Sequence, residues 1–150
     1  MKIRDKILIV EDEQSICNFI STVLSSHDYD PMVARTGAEA QSMIASHCPD
    51  LIILDSIQTF SLAEFLPSRA GNPTQTMECA SALVAQAKNK SRPRAVLMIG
   101  QMNKSDEIAG LRALEHLVDA VLVLEGEGAD ELRCLVATKN RFGSTGEMGF

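Results

Sequence analysis

Short apolar runs alternating with stretches of helical spacing dominate the first third of the chain. KILIV (6–10) stays apolar after its lysine, without the alternation of a strand that has one wet face. It therefore predicts a parallel strand covered on both sides. Ile16, Phe19, Ile20, Val23 and Leu24 recur as the inner face of an amphipathic helix. Pro31 halts continuation, and MVA (32–34) predicts a short second strand. Thr36 is placed to cap a helix that turns Ala40, Met43 and Ile44 inward and ends before Pro49. LIILD (51–55) predicts a third strand, completing a β-α-β-α-β order that calls for a parallel sheet.

The pattern lapses between Ser56 and Pro73, which predicts a long ordered loop with one helical turn at 61–65. Met77, Ala80, Leu83, Val84 and Ala87 then share a helical face. AVLMIG (95–100) predicts a fourth buried strand, and Ile108, Leu111, Leu114, Leu117 and Val118 a further helix. AVLVLEG (120–126) reads as a fifth strand. EGEGAD reads as a hairpin turn, ELRCLVATK (131–139) as its antiparallel partner and GSTGEMGF as a further edge strand. The expected architecture is a single α/β domain over 1–150. It is a three-layer sandwich on a mainly parallel, doubly wound sheet of flavodoxin-like order 2-1-3-4-5, with a C-terminal antiparallel extension.

Composition narrows the function classes. A net charge of −6 disfavours a broad phosphate-binding surface, so DNA or nucleotide binding is not expected from charge. No apolar run approaches the roughly 20 residues that span a bilayer, and MKIRDKILIVEDE lacks a signal-peptide pattern. Membrane association is not expected, and the expected compartment is the cytoplasm. Cys17, Cys48, Cys79 and Cys134 contain no CxxC pair and read as reduced thiols rather than zinc ligands.

Chemistry concentrates at strand ends. Glu11 and Asp12 end the first strand and Asp55 the third. In a doubly wound sheet these strands are neighbours, so the three carboxylates converge at one edge. Their mutual repulsion suits a hard cation such as Mg²⁺. No other cofactor is called for.

These residues also carry a resemblance. KILIVEDEQSICNFI and VARTGAEAQSMIASHCPDLIILD resemble the first half of a response-regulator receiver domain, most similar to the KdpE type, over about residues 1–55. The resemblance implies a phosphoacceptor role for Asp55, with Glu11 and Asp12 holding magnesium. The second half departs from that family. Its fourth strand ends Ile99-Gly100-Gln101 where the family has Thr or Ser, and its fifth ends Leu124-Glu125-Gly126 where the family has a lysine before proline. An aspartyl phosphate would lack its hydroxyl and its cation.

From about residue 51 onward a different family is resembled. DSIQT, ECASALVAQAK, IAGLRALEHLVDAVLVLEGE and KNRFGSTGEMG are similar to the later part of the RecA-type ATPase core of RadA/Sms proteins. This implies a Walker B role for Asp55 and ATP-dependent work on DNA for Lys139, Asn140, Arg141, Phe142 and Gly143. Gly100-Gln101 stands where that family has Gly-His. No GxxxxGK[ST] phosphate loop occurs, and Met98 to Ser105, though it holds a Lys-Ser pair, lacks both required glycines. Without a nucleotide, Lys139 and Arg141 read as a solvated basic edge.

Together the resemblances imply a chimera joined near residue 55, with a receiver-derived half (1–55) and a RadA-derived half (56–150). The closeness of each half to its own family and a chain that stops in mid-element point to laboratory fragment recombination without an intact enzymatic or signalling activity. The alternatives are a residual Mg-dependent phosphoacceptor site at Asp55 and a nucleotide- or DNA-binding RadA fragment. The RecA-type parent has its phosphate-loop strand between the strands equivalent to 95–100 and 120–124. That strand is missing here. Closure of the gap is the first expectation and a strand-exchanged homodimer the hazard, with no other partner called for.

Overall fold

The structure is a computed structural model and describes residues 4–61, 70–101, 111–126 and 132–150. Its centre is a parallel sheet of β1 (Lys6–Val10), β2 (Asp30–Ala34), β3 (Leu51–Asp55) and β4 (Ala95–Ile99), in the order β2-β1-β3-β4. Register is regular throughout: Ile9 lies opposite both Val33 and Ile53, and Ile53 opposite Leu97. The expected mixed α/β class and the 2-1-3-4 order are both present. Pro31 does not precede the second strand but lies inside it, opposite Ile7. An edge strand tolerates proline because one row of its backbone groups has no strand partner to lose.

Alternation along the strands divides the core into two layers. Leu8, Val10, Ile52 and Leu54 face α2 (Gly37–His47), α3 (Pro73–Ala87) and the short α4 (Leu111–Leu117), in one cluster with Ala40, Ile44, Cys79, Ala80 and Leu114. Ile7, Ile9 and Ile53 face the opposite side, where α1 (Gln14–Ser26) packs on β1 and β2. The start of α2 follows the predicted chemistry. The Thr36 hydroxyl accepts from Glu39 N–H at 3.1 Å while Glu39 Oε2 accepts from Arg35 N–H at 2.8 Å, a reciprocal arrangement at the start of α2. Asn72 caps α3 through Thr74 N–H, with Pro73 at the first helical position. The helical turn expected at 61–65 falls almost wholly outside the described residues, as do Ile108 and the EGEGAD hairpin beyond Gly126.

Three expectations are corrected. Phe19 and Val23 lie off the buried stripe of α1, which runs through Cys17 and the half-buried Ile20 and Leu24; Phe19 is 70% exposed. Spaced four apart, Phe19 and Val23 form a second line that the four-stranded sheet does not reach. The fourth strand is not buried on both faces: Leu97 is 45% exposed, because α1 covers only the β1–β2 side of its layer. Finally, β5 (Ala120–Glu125) does not take the fifth place beside β4. It pairs antiparallel with β6 (Cys134–Asn140), which pairs in turn with β7 (Met148–Gly149), making a separate three-stranded sheet. Among the described residues no strand takes the place beside β4, which is therefore the edge of the described sheet.

The antiparallel extension itself is as expected. Its register breaks at a bulge between Val121 and Leu122, after which Leu124 sits opposite Leu135. Both of these leucines are exposed, so one face of this sheet carries apolar side chains without cover.

Candidate functional site

The carboxyl ends of the parallel strands bring the predicted acidic residues together. Val10 is opposite Leu54, so the chain leaves β1 and β3 side by side and sets Glu11 next to Asp55. Glu11 N–H donates to Ala34 O at 3.1 Å, which holds its backbone against β2. Its side chain is buried, and Oε1 accepts from Glu13 N–H at 2.9 Å. Asp12 is exposed and Asp55 half-buried.

The electrostatics are those of crowded acids. Burial pushes the Glu11 carboxyl above the ordinary glutamate range, a rise that its bond from Glu13 N–H opposes and that Asp12 and Asp55 reinforce. Asp55 is raised by burial first and by the Asp12 charge second. The same edge lifts the Cys17 thiol, chiefly through burial and then through Glu11. The nearby cation is Arg35, whose guanidinium spends itself on Asp12 O and Gln14 Oε1 rather than on a carboxylate.

Oxygen donors of this kind suit a hard divalent ion, and repulsion among them is what such an ion relieves. The donor set of Glu11, Asp12 and Asp55 fits magnesium by chemistry. Its geometry is not that of a ready cage: among the described residues no group of three His, Cys, Asp or Glu is arranged to hold a metal ion. The reason is local, since Glu11 turns an oxygen back to its own chain to satisfy Glu13 N–H.

Past Asp55 the chain turns sharply. The Asp55–Ser56 peptide is cis, Ile57 N–H donates to Ile99 O at 2.9 Å, and Ser56 O accepts from Thr59 N–H and Thr59 Oγ1. Gln58 Nε2 donates to Gln101 O at 2.8 Å, and Gln101 N–H returns a longer bond to Gln58 Oε1. This pair clasps the exits of β3 and β4. Sequence reasoning treated Gln101 only as a departure from a family pattern and missed the clasp, which pairs residues 43 apart. Lys104 and Ser105, the Lys-Ser pair weighed as a phosphate cradle, lie outside the described residues.

The KNRFG segment sits away from the acidic edge, at the end of β6. Lys139 Nζ donates to Glu115 O and, at 2.9 Å, to Val118 O, so it caps the carbonyls at the end of α4. Arg141 pairs with Asp119 at 2.7 Å, and its N–H donates to Asp119 O. Asn140 Oδ1 accepts from Phe142 N–H, and Nδ2 donates to Ser144 O. A Cβ at Gly143 would come within 2.9 Å of Asn140 Nδ2, which accounts for a small residue there. Phe142 is 81% exposed. Of the expected basic edge, Lys139 is instead engaged with the end of α4, while Arg141 stays exposed in its ion pair with Asp119.

No protein-family model matches the chain. In sequence it is similar to DNA repair protein RadA of Listeria monocytogenes, 40% identical over an alignment of 148 residues that covers 96% of this chain and 32% of that protein. It is also similar to DNA repair protein RadA of Bacillus subtilis, 44% identical over 108 residues, 72% of this chain and 23% of that one. A match of 148 residues includes positions on both sides of residue 55. The chain spans about a third or less of the length of these relatives. Among solved structures, the chemotaxis response regulator CheY4 of Vibrio cholerae aligns with a TM-score of 0.49 at 24% identity, over 75% of this chain and 81% of that one. The receiver domain of a LuxO-type repressor from Vibrio parahaemolyticus aligns with a TM-score of 0.48 at 21% identity, over 75% and 73%. The chain is similar to part of RadA in sequence, and its parallel strands take the order 2-1-3-4.

Proposed function

We propose that the protein is a hybrid α/β domain, made by recombining fragments at the strand that ends in Asp55, which keeps a parallel sheet and completes neither parental activity. The observation that carries this reading is the placement of β5. A phosphorylated Asp55 needs a cation brought to the acidic edge, yet β5 belongs to the other sheet and ends Leu124-Glu125-Gly126. Nucleotide hydrolysis needs backbone N–H groups wrapped around phosphates by a glycine loop, and none of the nine glycines opens such a motif. The matched relatives are named as DNA repair proteins, but here the Lys139 and Arg141 charges are engaged within the fold. On this reading the protein is not an enzyme and requires no cofactor.

A second reading is supported by the raised carboxyls of Glu11 and Asp55: a residual Mg²⁺-dependent phosphoacceptor site, with Asp55 as acceptor and Glu11 and Asp12 on the ion. Within this proposal the chain works in the cytoplasm, and no helix of the described residues is long and apolar enough to cross a membrane. The partner we propose is a second copy, through the open edge of β4.

Incubating the protein with Mg²⁺ and beryllofluoride, and separately with Mg²⁺ and ATP, tests the assignment. The expected result is no beryllofluoride-dependent shift in amide resonances and no ATP turnover above the protein-free rate. A response abolished by Asp55→Asn would replace the leading reading with the phosphoacceptor one, and steady ATP hydrolysis would replace it with the ATPase one.

A further inference from the structure

The two ends of β4 carry opposite charge. The segment leading into it, Lys88 to Arg94, holds four cations and no acid. Lys88 is paired with Asp119, and Arg94 Nε and Nη1 are buried. Lys90 and Arg92 are exposed and make no ion pair among the described residues. Asp50 lies at the same end, but its carboxylate accepts from Lys6 N–H at 2.8 Å. At the far end Asp55 sits opposite Ile99, with the exposed Asp12 and the buried Glu11 close by. Arg35 is turned to Asp12 O and Gln14 Oε1, and these carboxylates make no ion pair among the described residues.

A second copy brings the opposite ends together. The outer backbone groups of β4 meet no strand among the described residues. A twofold axis at Leu97 pairs the two copies of β4 antiparallel and sets Ala95 of one opposite Ile99 of the other. Asp55, Ile99 and the other copy's Ala95 then form a row across three strands. With strands about 4.8 Å apart, that row spans about 10 Å, within the combined reach of an arginine and an aspartate side chain. The basic segment of each copy faces the acidic edge of the other, and symmetry makes the contact twice. A parallel pairing would set like charge beside like charge.

We propose that the second copy completes the acidic edge in trans, with Lys90 and Arg92 of each copy facing Asp12 and Asp55 of the other. This rests on the reading of β4 as the dimer edge and adds the charge contact that fixes its antiparallel direction. Each acidic edge gains the cation that its own chain spends elsewhere.

Sedimentation over a concentration series, with Arg92→Glu and Asp12→Lys, tests the contact; both positions are exposed. At about 0.1 M salt Arg92→Glu weakens the dimer at least about tenfold, because two symmetric contacts turn from attraction to repulsion. Asp12 follows β1, one strand farther away, and Asp12→Lys weakens the dimer at least about threefold. Both losses shrink at about 1 M salt, where the screening length is about 3 Å. Asp12→Lys is the sharper variant. It makes each copy less negative, so the net charge of −6 by itself predicts a tighter dimer. An equimolar mixture of the two variants recovers the unmodified affinity, since both contacts of the mixed pair join opposite charges. A dimer indifferent to both substitutions overturns the contact and leaves the edge pairing standing. Tighter association of Asp12→Lys, or a mixture no tighter than either variant alone, overturns it as well. A protein that stays monomeric at every concentration overturns the contact and the edge pairing together.

Discussion

A carboxylate that has lost water without gaining a cation holds its proton to higher pH, and Glu11 and Asp55 are both in that position. Their folded-state values lie above the ordinary 4.5 and 3.8, so the native state binds protons more tightly than the unfolded chain. The stability they contribute is full below those ordinary values and is lost as pH rises through the raised folded ones. Thermal unfolding should therefore show the protein gaining stability from these two groups as pH falls from neutral toward the ordinary carboxylate range. Asp55→Asn and Glu11→Gln should each raise Tm at neutral pH and flatten that dependence; unchanged Tm in both variants would contradict the crowded-acid account. If magnesium binds the edge, adding it narrows the difference between Asp55→Asn and the unmodified protein. The Gln58–Gln101 clasp is the residue-scale feature that the sequence did not disclose, because two glutamines 43 residues apart carry no signal of their pairing.

Among the elements, the strongly periodic ones were readable and the shared ones were not. β1, β3 and the cap of α2 came directly from apolar runs and from Thr36, since those signals are local. The exposure of Phe19, Leu97 and Leu124 was not readable, because an apolar residue records what it can bury against and not whether a neighbour arrives. The KNRFG segment shows the same limit in reverse. Its cations read as solvated, yet the fold spends Lys139 on the end of α4. Lys139→Ala should lower stability by roughly 1 kcal/mol, since helix-end carbonyls lose a charged donor. Arg141→Ala breaks an exposed pair with Asp119 and should cost less than about 1 kcal/mol. Chemical denaturation of both variants, together with Thr36→Ala at about 1 kcal/mol, tests this ordering.

For the molecule as a whole, the consequence of the missing strand is an open edge. Ala95 N–H donates to Asp50 O and Ile99 O accepts from Ile57 N–H, so alternate residues of β4 direct their backbone groups to β3. Val96 and Met98 accordingly direct theirs outward. AVLMI carries no charge, proline or bulge to protect that edge, and Leu97 and Ile99 are exposed on the α1 side. Two copies can pair antiparallel across a twofold axis at Leu97, with Val96 of each exchanging both bonds with Met98 of the other. Sizing against concentration should show a dimer that Leu97→Lys converts to monomer. A monomer at all concentrations would mean that the edge is protected in another way.

The sequence by itself determined the strands, the helix caps, the acidic edge and the likeness to two families, because apolar period, capping residues and motif spacing act within a few turns of chain. Only the tertiary structure decided that β5 leaves the parallel sheet, that Lys139 serves a helix end and that Arg94 Nε and Nη1 are buried without a hydrogen-bond partner among the described residues. Those outcomes depend on which distant surfaces meet, and strand pairing and burial are settled by that competition rather than by any local preference.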